Sequence, residues 1–408
     1  TLVMPARNTS LRANLMDMPD YRLNYEQIMG ANHLKNVYHF LPVQSKGAIW
    51  FFHGTSGSAS VWVRNTENRS MVNAAIAAGY GVVITEAEES TLDRDLNGDG
   101  KLRWQTFPAD TINGIDYLNL RIILDTLKQR GLLATNTPLF SVGMSNGGAF
   151  SASVSELLPF SGGVSYCAPG ARIFAANRSS PFAFRMAKFD DNEQVGPEGN
   201  YTAFQHDAIL ADRGICHDYL LQDRQPLYPE RFARIPGVSL SQSNTLYEEL
   251  VANNHLSTHG FLVSSATIVA SFQAQPANYP ALSALTLPQR REFLNQLKAN
   301  NAEHNFFSGA NQQTLTFFES LCNVTTNSVS PIEPSQVLFI YPNPFNAYLE
   351  VKQEATFTGF ILTDLAGRYR WEGPELEKVD FSNLSPGVYF ITAFTSGGNR
   401  MMQRLVKQ

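Results

Sequence analysis

The chain has 408 residues, 43% hydrophobic and 16% charged, with a formal net charge of −5; that is ample for an ordinary core and leaves room for two or three domains. An acidic balance without any Lys/Arg-rich block excludes nucleic acid as the main partner, and no apolar run approaches a membrane-spanning length, which excludes a transmembrane segment. Cysteines number three, Cys167, Cys216 and Cys322, so at most one internal disulfide can form and at least one thiol is left over. The chain begins at Thr1 without a charged start and apolar stretch, so it is expected either to be cytosolic or to have lost a leader already.

In chain order, the region up to about Pro42, with Tyr38-His39-Phe40-Leu41, suits antiparallel edge strands. Apolar runs at 47–52, 81–85, 139–142, 162–166 and 182–188 predict strands, and the patterns at 70–78, 109–129 and 148–158 predict helices between them. Such alternation is that of a mostly parallel sheet flanked by helices, the α/β class. Residues 226–301 carry helical patterns without a clear strand and are too long for a simple connection. They are expected to form a helical cap or lid, with a peripheral decoration as the alternative. The polar, proline-bearing stretch 324–334 reads as a linker. Beyond it, short strand-like segments at 337–341, 348–352, 360–363, 388–394 and 401–406 predict a small all-β sandwich over 335–408. The larger domain is thus expected over 1–323.

Chemistry concentrates in Gly143-Met144-Ser145-Asn146-Gly147. With a strand before it and a small-residue helix after it, this pentapeptide predicts a sharp strand-to-helix turn that presents a nucleophilic serine. A serine hydroxyl needs a histidine to take its proton and a carboxylate to orient that histidine; on such a turn both follow the serine in chain order. Asp190 and Asp191 lie just past a predicted strand end, and Asp191 is preferred because Asp190 is expected to continue the strand. Among the later histidines, His304 precedes a helical pattern on a loop. His206 and His217 fall in a predicted helix and strand, and His255 and His259 in the cap. For the oxyanion, the Asn146 N–H and the Thr55 N–H of the His53-Gly54-Thr55 loop are the expected donors. Trp62, Trp104 and Phe52 are read either as pocket lining or as core. Asp95, Asn97, Asp99 and Lys101 resemble the first half of a calcium loop. Twelve-residue register puts Thr106 where a glutamate belongs, so a structural calcium and a solvated Asx-rich turn both stay open.

Together, His53-Gly54-Thr55, the 143–147 pentapeptide, Asp191 and His304 resemble the α/β-hydrolase superfamily over roughly residues 20–323, with a looser likeness to secreted esterases of the polyhydroxybutyrate depolymerase and feruloyl esterase type. The resemblance implies a secreted serine esterase working through an acyl-enzyme, with Ser145 as nucleophile, His304 as base, Asp191 as orienter and no required cofactor. Its substrates would be carboxylic esters, polyester or polysaccharide-linked esters among them; a serine peptidase of the same fold and a non-catalytic binding protein are the alternatives. The cap departs from the barest open polyester hydrolases. Three tail motifs, Tyr341-Pro342-Asn343-Pro344-Phe345-Asn346, Asp364-Leu365-Ala366-Gly367-Arg368 and Leu384-Ser385-Pro386-Gly387-Val388-Tyr389, precede a short terminus Arg404-Leu405-Val406-Lys407. They resemble the type A sorting domain of the type IX secretion system. That implies partnership with the type IX machinery, export from a Bacteroidota cell and, usually, removal of the tail.

Overall fold

In the computed structural model the described residues are 21–321, 340–351, 357–364, 369–395 and 400–408. The expected linker 324–334, Cys322 and residues 365–368 of the second tail motif lie outside them. The chain divides into two compact units, Thr1–Asn323 and Val324–Gln408.

The first unit is built on an 8-stranded sheet. Its strands are β1 (Asn24–Met29), β2 (Leu34–Phe40), β3 (Ala48–Phe52), β4 (Gly81–Ile84), β5 (Leu139–Met144), β6 (Gly162–Tyr166), β7 (Phe182–Ala187) and β8 (His217–Gln222), in the order β1-β2-β4-β3-β5-β6-β7-β8. β1 pairs with β2 and β2 with β4 antiparallel, and every later pairing from β4–β3 to β7–β8 is parallel. The central strands read as unbroken apolar runs because helices cover both faces. Ile49 and Phe51 point into one core with Val82, Ile84, Val142 and Phe317. Their neighbours Ala48, Trp50 and Phe52 point into the other with Leu120, Phe150 and Val154, the period of two that a strand imposes. This is the α/β-hydrolase arrangement.

One helix starts late. The pattern at 109–129 becomes helical only at Ile115–Gln129, because the Asp110 carboxylate accepts from Ile112 N–H (2.8 Å) and Asn113 N–H (2.5 Å) and closes the preceding residues into an Asx turn. Between β8 and the unit's last helix, Asn311–Ser320, come the helices Leu240–Ala252, Ser265–Ala274, Pro280–Ala284 and Leu287–Asn300. They have a core of their own that includes Phe232, Leu246, Leu250, Phe293 and Leu297. Buried carboxylates join this insertion to the rest. Glu67 pairs with Arg231 (2.9 Å) and Arg234 (2.6 Å) and accepts from Ser308 N–H (2.7 Å), while Glu292 accepts from Thr66 N–H (2.7 Å). Charges out of water cost free energy unless fully partnered, so these groups hold the insertion in one place.

The second unit is all-β and antiparallel throughout its described strand pairs. Ile340–Tyr341 pairs with Glu350–Val351, and a 4-stranded sheet is formed by Tyr369–Gly373, Phe357–Asp364, Gly387–Thr395 and Arg400–Lys407. Tyr369–Gly373 is a strand that the apolar pattern did not announce. Leu362, Ile391 and Leu405 fill the core with Phe345 and Phe381.

Candidate active site

β5 turns into the helix Asn146–Leu157 at Ser145, whose backbone sits at φ 56°, ψ −124°. A non-glycine residue holds that conformation only where its surroundings over-determine it. Close packing does so here. A Cβ on Gly143 would stand 1.8 Å from Gly147 O, one on Gly147 2.3 Å from His53 O, and one on Gly148 2.5 Å from Ser165 Oγ. Glycine at these points lets the helix start against β3 and β6.

Ser145 Oγ lies 2.9 Å from His304 Nε2, and His304 Nδ1 lies 2.7 Å from Asp190 Oδ2. A carboxylate only accepts, so Nδ1 carries the proton and Nε2 is left to accept from the serine hydroxyl. The side chain of Asp190 is 0% exposed and that of His304 13%. The carboxylate that meets the His304 ring is therefore Asp190, not the expected Asp191. β7 ends at Ala187, and a turn closed by Asp190 N–H on Ala187 O (3.2 Å) swings Asp190 inward instead of continuing the strand. Asp191 is left outside, with its side chain 53% exposed, where Oδ1 accepts from His304 N–H (3.3 Å) and Oδ2 is 3.9 Å from Lys298 Nζ.

The loop that carries Thr55 reaches the serine. A Cβ on Gly54 would be 3.4 Å from Ser145 Cβ, so the loop after β3 abuts the elbow. Within that loop Ser56 N–H donates to Leu102 O (2.8 Å) and Gly57 N–H to Gly54 O (3.0 Å). The Thr55 and Asn146 N–H groups have no acceptor among the described residues; Asn146 opens its helix, where an N–H has no intrahelical acceptor. His53 holds this loop. It is fully buried, its Nδ1–H donates to Gly54 O (2.7 Å), and its Nε2 accepts from Ala87 N–H (3.1 Å). Burial pushes it down to about 4, so it stays neutral.

Asn146 has a second task that its position alone did not reveal. Its side chain accepts from Trp104 N–H (2.7 Å) and donates to Trp104 O (3.2 Å), and Trp104 Nε1–H donates to His53 O (3.0 Å). Trp62, Trp104 and Phe52 are buried in the core, and Trp62 borders a cavity away from the serine, beside Tyr21, Tyr38 and Val72. Trp104 stacks on Phe150 with ring centroids 4.5 Å apart.

The 95–101 loop is a ladder of Asx turns. Asp95 accepts from Asn97 N–H (3.0 Å), Gly98 N–H (2.7 Å) and Gly100 N–H (2.6 Å), Asn97 from Asp99 N–H (3.0 Å), and Asp99 from Lys101 N–H (2.9 Å). The Gly100 N–H above all holds the Asp95 carboxyl below its usual range. Next to this loop Arg103 donates to Gln194 Oε1 (2.9 Å), joining the segment after β4 to the segment after β7.

Cys167, directly after β6, is free and fully buried at φ 50°. Its Sγ–H donates to Asn305 O (3.5 Å), and its sulfur lies within 4.8 Å of a carboxylate oxygen of Asp190 and a ring nitrogen of His304. Burial first, and then the Asp190 charge, push its thiol well up. Cys216 is disulfide-bonded.

Comparison with known proteins decides the tail. Residues 339–408 match the family model of the secretion system C-terminal sorting domain. The chain ends in a sorting domain of the type IX system. Such a domain addresses the protein to that machinery and so to the cell surface or the exterior, and no helix among the described residues is long and apolar enough to cross a membrane. No curated protein matches the sequence significantly. Among solved structures, an esterase from Pyrococcus furiosus is similar at 13% identity and a TM-score of 0.36, over 50% of this chain and 83% of its own. A ferulic acid esterase is similar at 11% and 0.38, over 50% and 90%, and an acylaminoacyl peptidase from Pyrococcus horikoshii at 11% and 0.36, over 51% and 38%. At these values the fold rests on the strand order and the elbow seen in the chain itself.

Proposed function

We propose that the first unit is a serine hydrolase of carboxylic esters, acting outside the cell through an acyl-enzyme. The observation that carries this reading is the hydrogen-bonded series Ser145–His304–Asp190, at 2.9 and 2.7 Å. Ser145 Oγ attacks the ester carbonyl carbon while His304 Nε2 takes its proton, and the Asp190 carboxylate stabilises the imidazolium that results. The carbonyl oxygen, now an anion, accepts from the Thr55 and Asn146 N–H groups. Collapse breaks the C–O bond, and the alcohol leaves with the proton from His304. Water then gives its proton to His304 and attacks the acyl carbon, releasing the acid and restoring Ser145. Small soluble, polysaccharide-linked and polyester substrates all fall within this chemistry.

Turnover of short p-nitrophenyl esters and of aminoacyl anilides by the purified full chain tests it. Ester cleavage that falls at least about 10³-fold in Ser145→Ala is the expected result. Preferential cleavage of the anilides transfers the reading to a peptidase of the same fold, and absence of turnover on both sinks it.

A further inference from the structure

Glu303 takes no part in that chemistry, yet its carboxylate is buried one residue from the base. It accepts from Ser265 N–H (3.2 Å), from the Ser265 hydroxyl and from Asn301 Nδ2 (2.7 Å). Ser265 is the first residue of the helix Ser265–Ala274 in the insertion. That helix lacks the usual provisions at its start: Ser264 makes no side-chain cap bond, and the first turn has no acidic residue. First-turn N–H groups have no acceptor inside a helix and lie at its positive end. Glu303 supplies both the acceptor and the charge from elsewhere in the chain.

We infer that Glu303 is a positioning residue for His304, through which the helical insertion sets the geometry of the base; this rests on the hydrolytic reading of Ser145 and His304. Ala302 has a left-handed φ of 53°, which a residue with a Cβ keeps only under outside constraint. Phe189 N–H on Ala302 O (2.9 Å) and Asn305 Nδ2 on Asn295 O (3.1 Å) hold the stretch at either end. Between them Glu303 N–H donates to Lys298 O (2.9 Å) at the end of the preceding helix, and the Glu303 carboxylate adds a tie to the helix Ser265–Ala274. Without it the turn relaxes, and Nε2 leaves its place 2.9 Å from Ser145 Oγ. A displacement of about 1 Å at a reacting group costs on the order of 10²-fold in rate.

The experiment compares the full-length parent with Glu303→Gln, Glu303→Asp, Ser265→Ala and Ser145→Ala on a p-nitrophenyl ester, with melting midpoints to verify folding. The low-field proton resonance of the His304–Asp190 hydrogen bond is recorded alongside. Glu303→Gln is expected to lower kcat by at least about tenfold with KM within about twofold, and to shift or broaden that resonance. Ser265→Ala, which changes a residue of the insertion and removes its hydroxyl from the Glu303 carboxylate, is expected to lower kcat by about threefold, and Glu303→Asp to recover part of the loss. A kcat for folded Glu303→Gln within about twofold of the parent, with an unmoved resonance, overturns the inference. If Glu303→Gln does not fold, an unchanged kcat and resonance in Ser265→Ala overturn it instead. Turnover that is absent in the parent, or that survives Ser145→Ala, removes the hydrolytic reading and this inference with it.

Discussion

Around Ser145 the constraint is local, whereas around His304 it arrives from far along the chain. The elbow is held by its own glycines; a Cβ on Gly143 would meet Gly147 O at 1.8 Å. Residues 301–305 contain no long regular element; backbone bonds to Leu297, Lys298 and Ala299 start the turn, and Phe189, Asp191, Asn295 and Ser265 fix the rest of it from other elements. A nucleophile encoded in consecutive residues withstands change elsewhere. A base placed by remote partners depends on the whole unit, so mutations far from the serine reach catalysis through the histidine.

The contrast breaks first at the two adjacent carboxylates. Asp190→Asn is expected to lower kcat/KM on a p-nitrophenyl ester on the order of 10³-fold or more, because the imidazole loses the partner that fixes its tautomer. Asp191→Asn is expected to cost no more than about threefold, as for an exposed contact; equal losses would reverse the roles assigned here. Next in size is the elbow itself. Gly143→Ala sets a Cβ against backbone that cannot retreat and is expected to cost about 4 kcal/mol or more, or to yield no soluble protein; a parent-like melting midpoint would show that the turn can yield.

A smaller effect tests how firmly the insertion is held. Glu67→Gln leaves Arg231 and Arg234 without their buried partner and is expected to cost about 3 kcal/mol in denaturant unfolding. Burial alone would raise the Glu67 carboxyl, but Arg231 and Arg234 outweigh it and hold it down to about 2, against 4.5 when unpaired. Its contribution is therefore present above pH 4.5 and lost as the pH falls from 4.5 toward 2. A parent whose stability stays level across that window would contradict the pairing. Smallest is Asn146→Ala, which keeps the oxyanion N–H but frees Trp104; kcat is expected to fall about tenfold, and an unchanged kcat would make the clamp on Trp104 incidental.

The same contrast governs what could be read from the sequence. The central strands and the elbow were legible, because two-residue periodicity and glycines around a serine are signals carried by neighbours. His304 was legible as a loop histidine before a helical run. Which of Asp190 and Asp191 faces it was not, since that depends on a turn at Ala187 that apolar patterning extends past. Glu303 left no local mark, its partner Ser265 being 38 residues away. The 109–129 run overshot because the Asx turn of Asp110 competes with helix by side-chain hydrogen bonds that a hydrophobic pattern does not register. In the tail, ordered motifs identified the domain, while the strand Tyr369–Gly373, with Arg370 and Glu372 alternating, lacked the apolar run that marked its neighbours.

The sulfur sealed behind the histidine is also a reporter of opening. In an oxidising exterior a free thiol is exposed to capture by other thiols and to stepwise oxidation, both of which need the thiolate and access to it. Cys167 offers neither while the unit is closed. Its reaction with a maleimide therefore acts as a clock: each labelled molecule marks an excursion in which this corner of the protein has come apart.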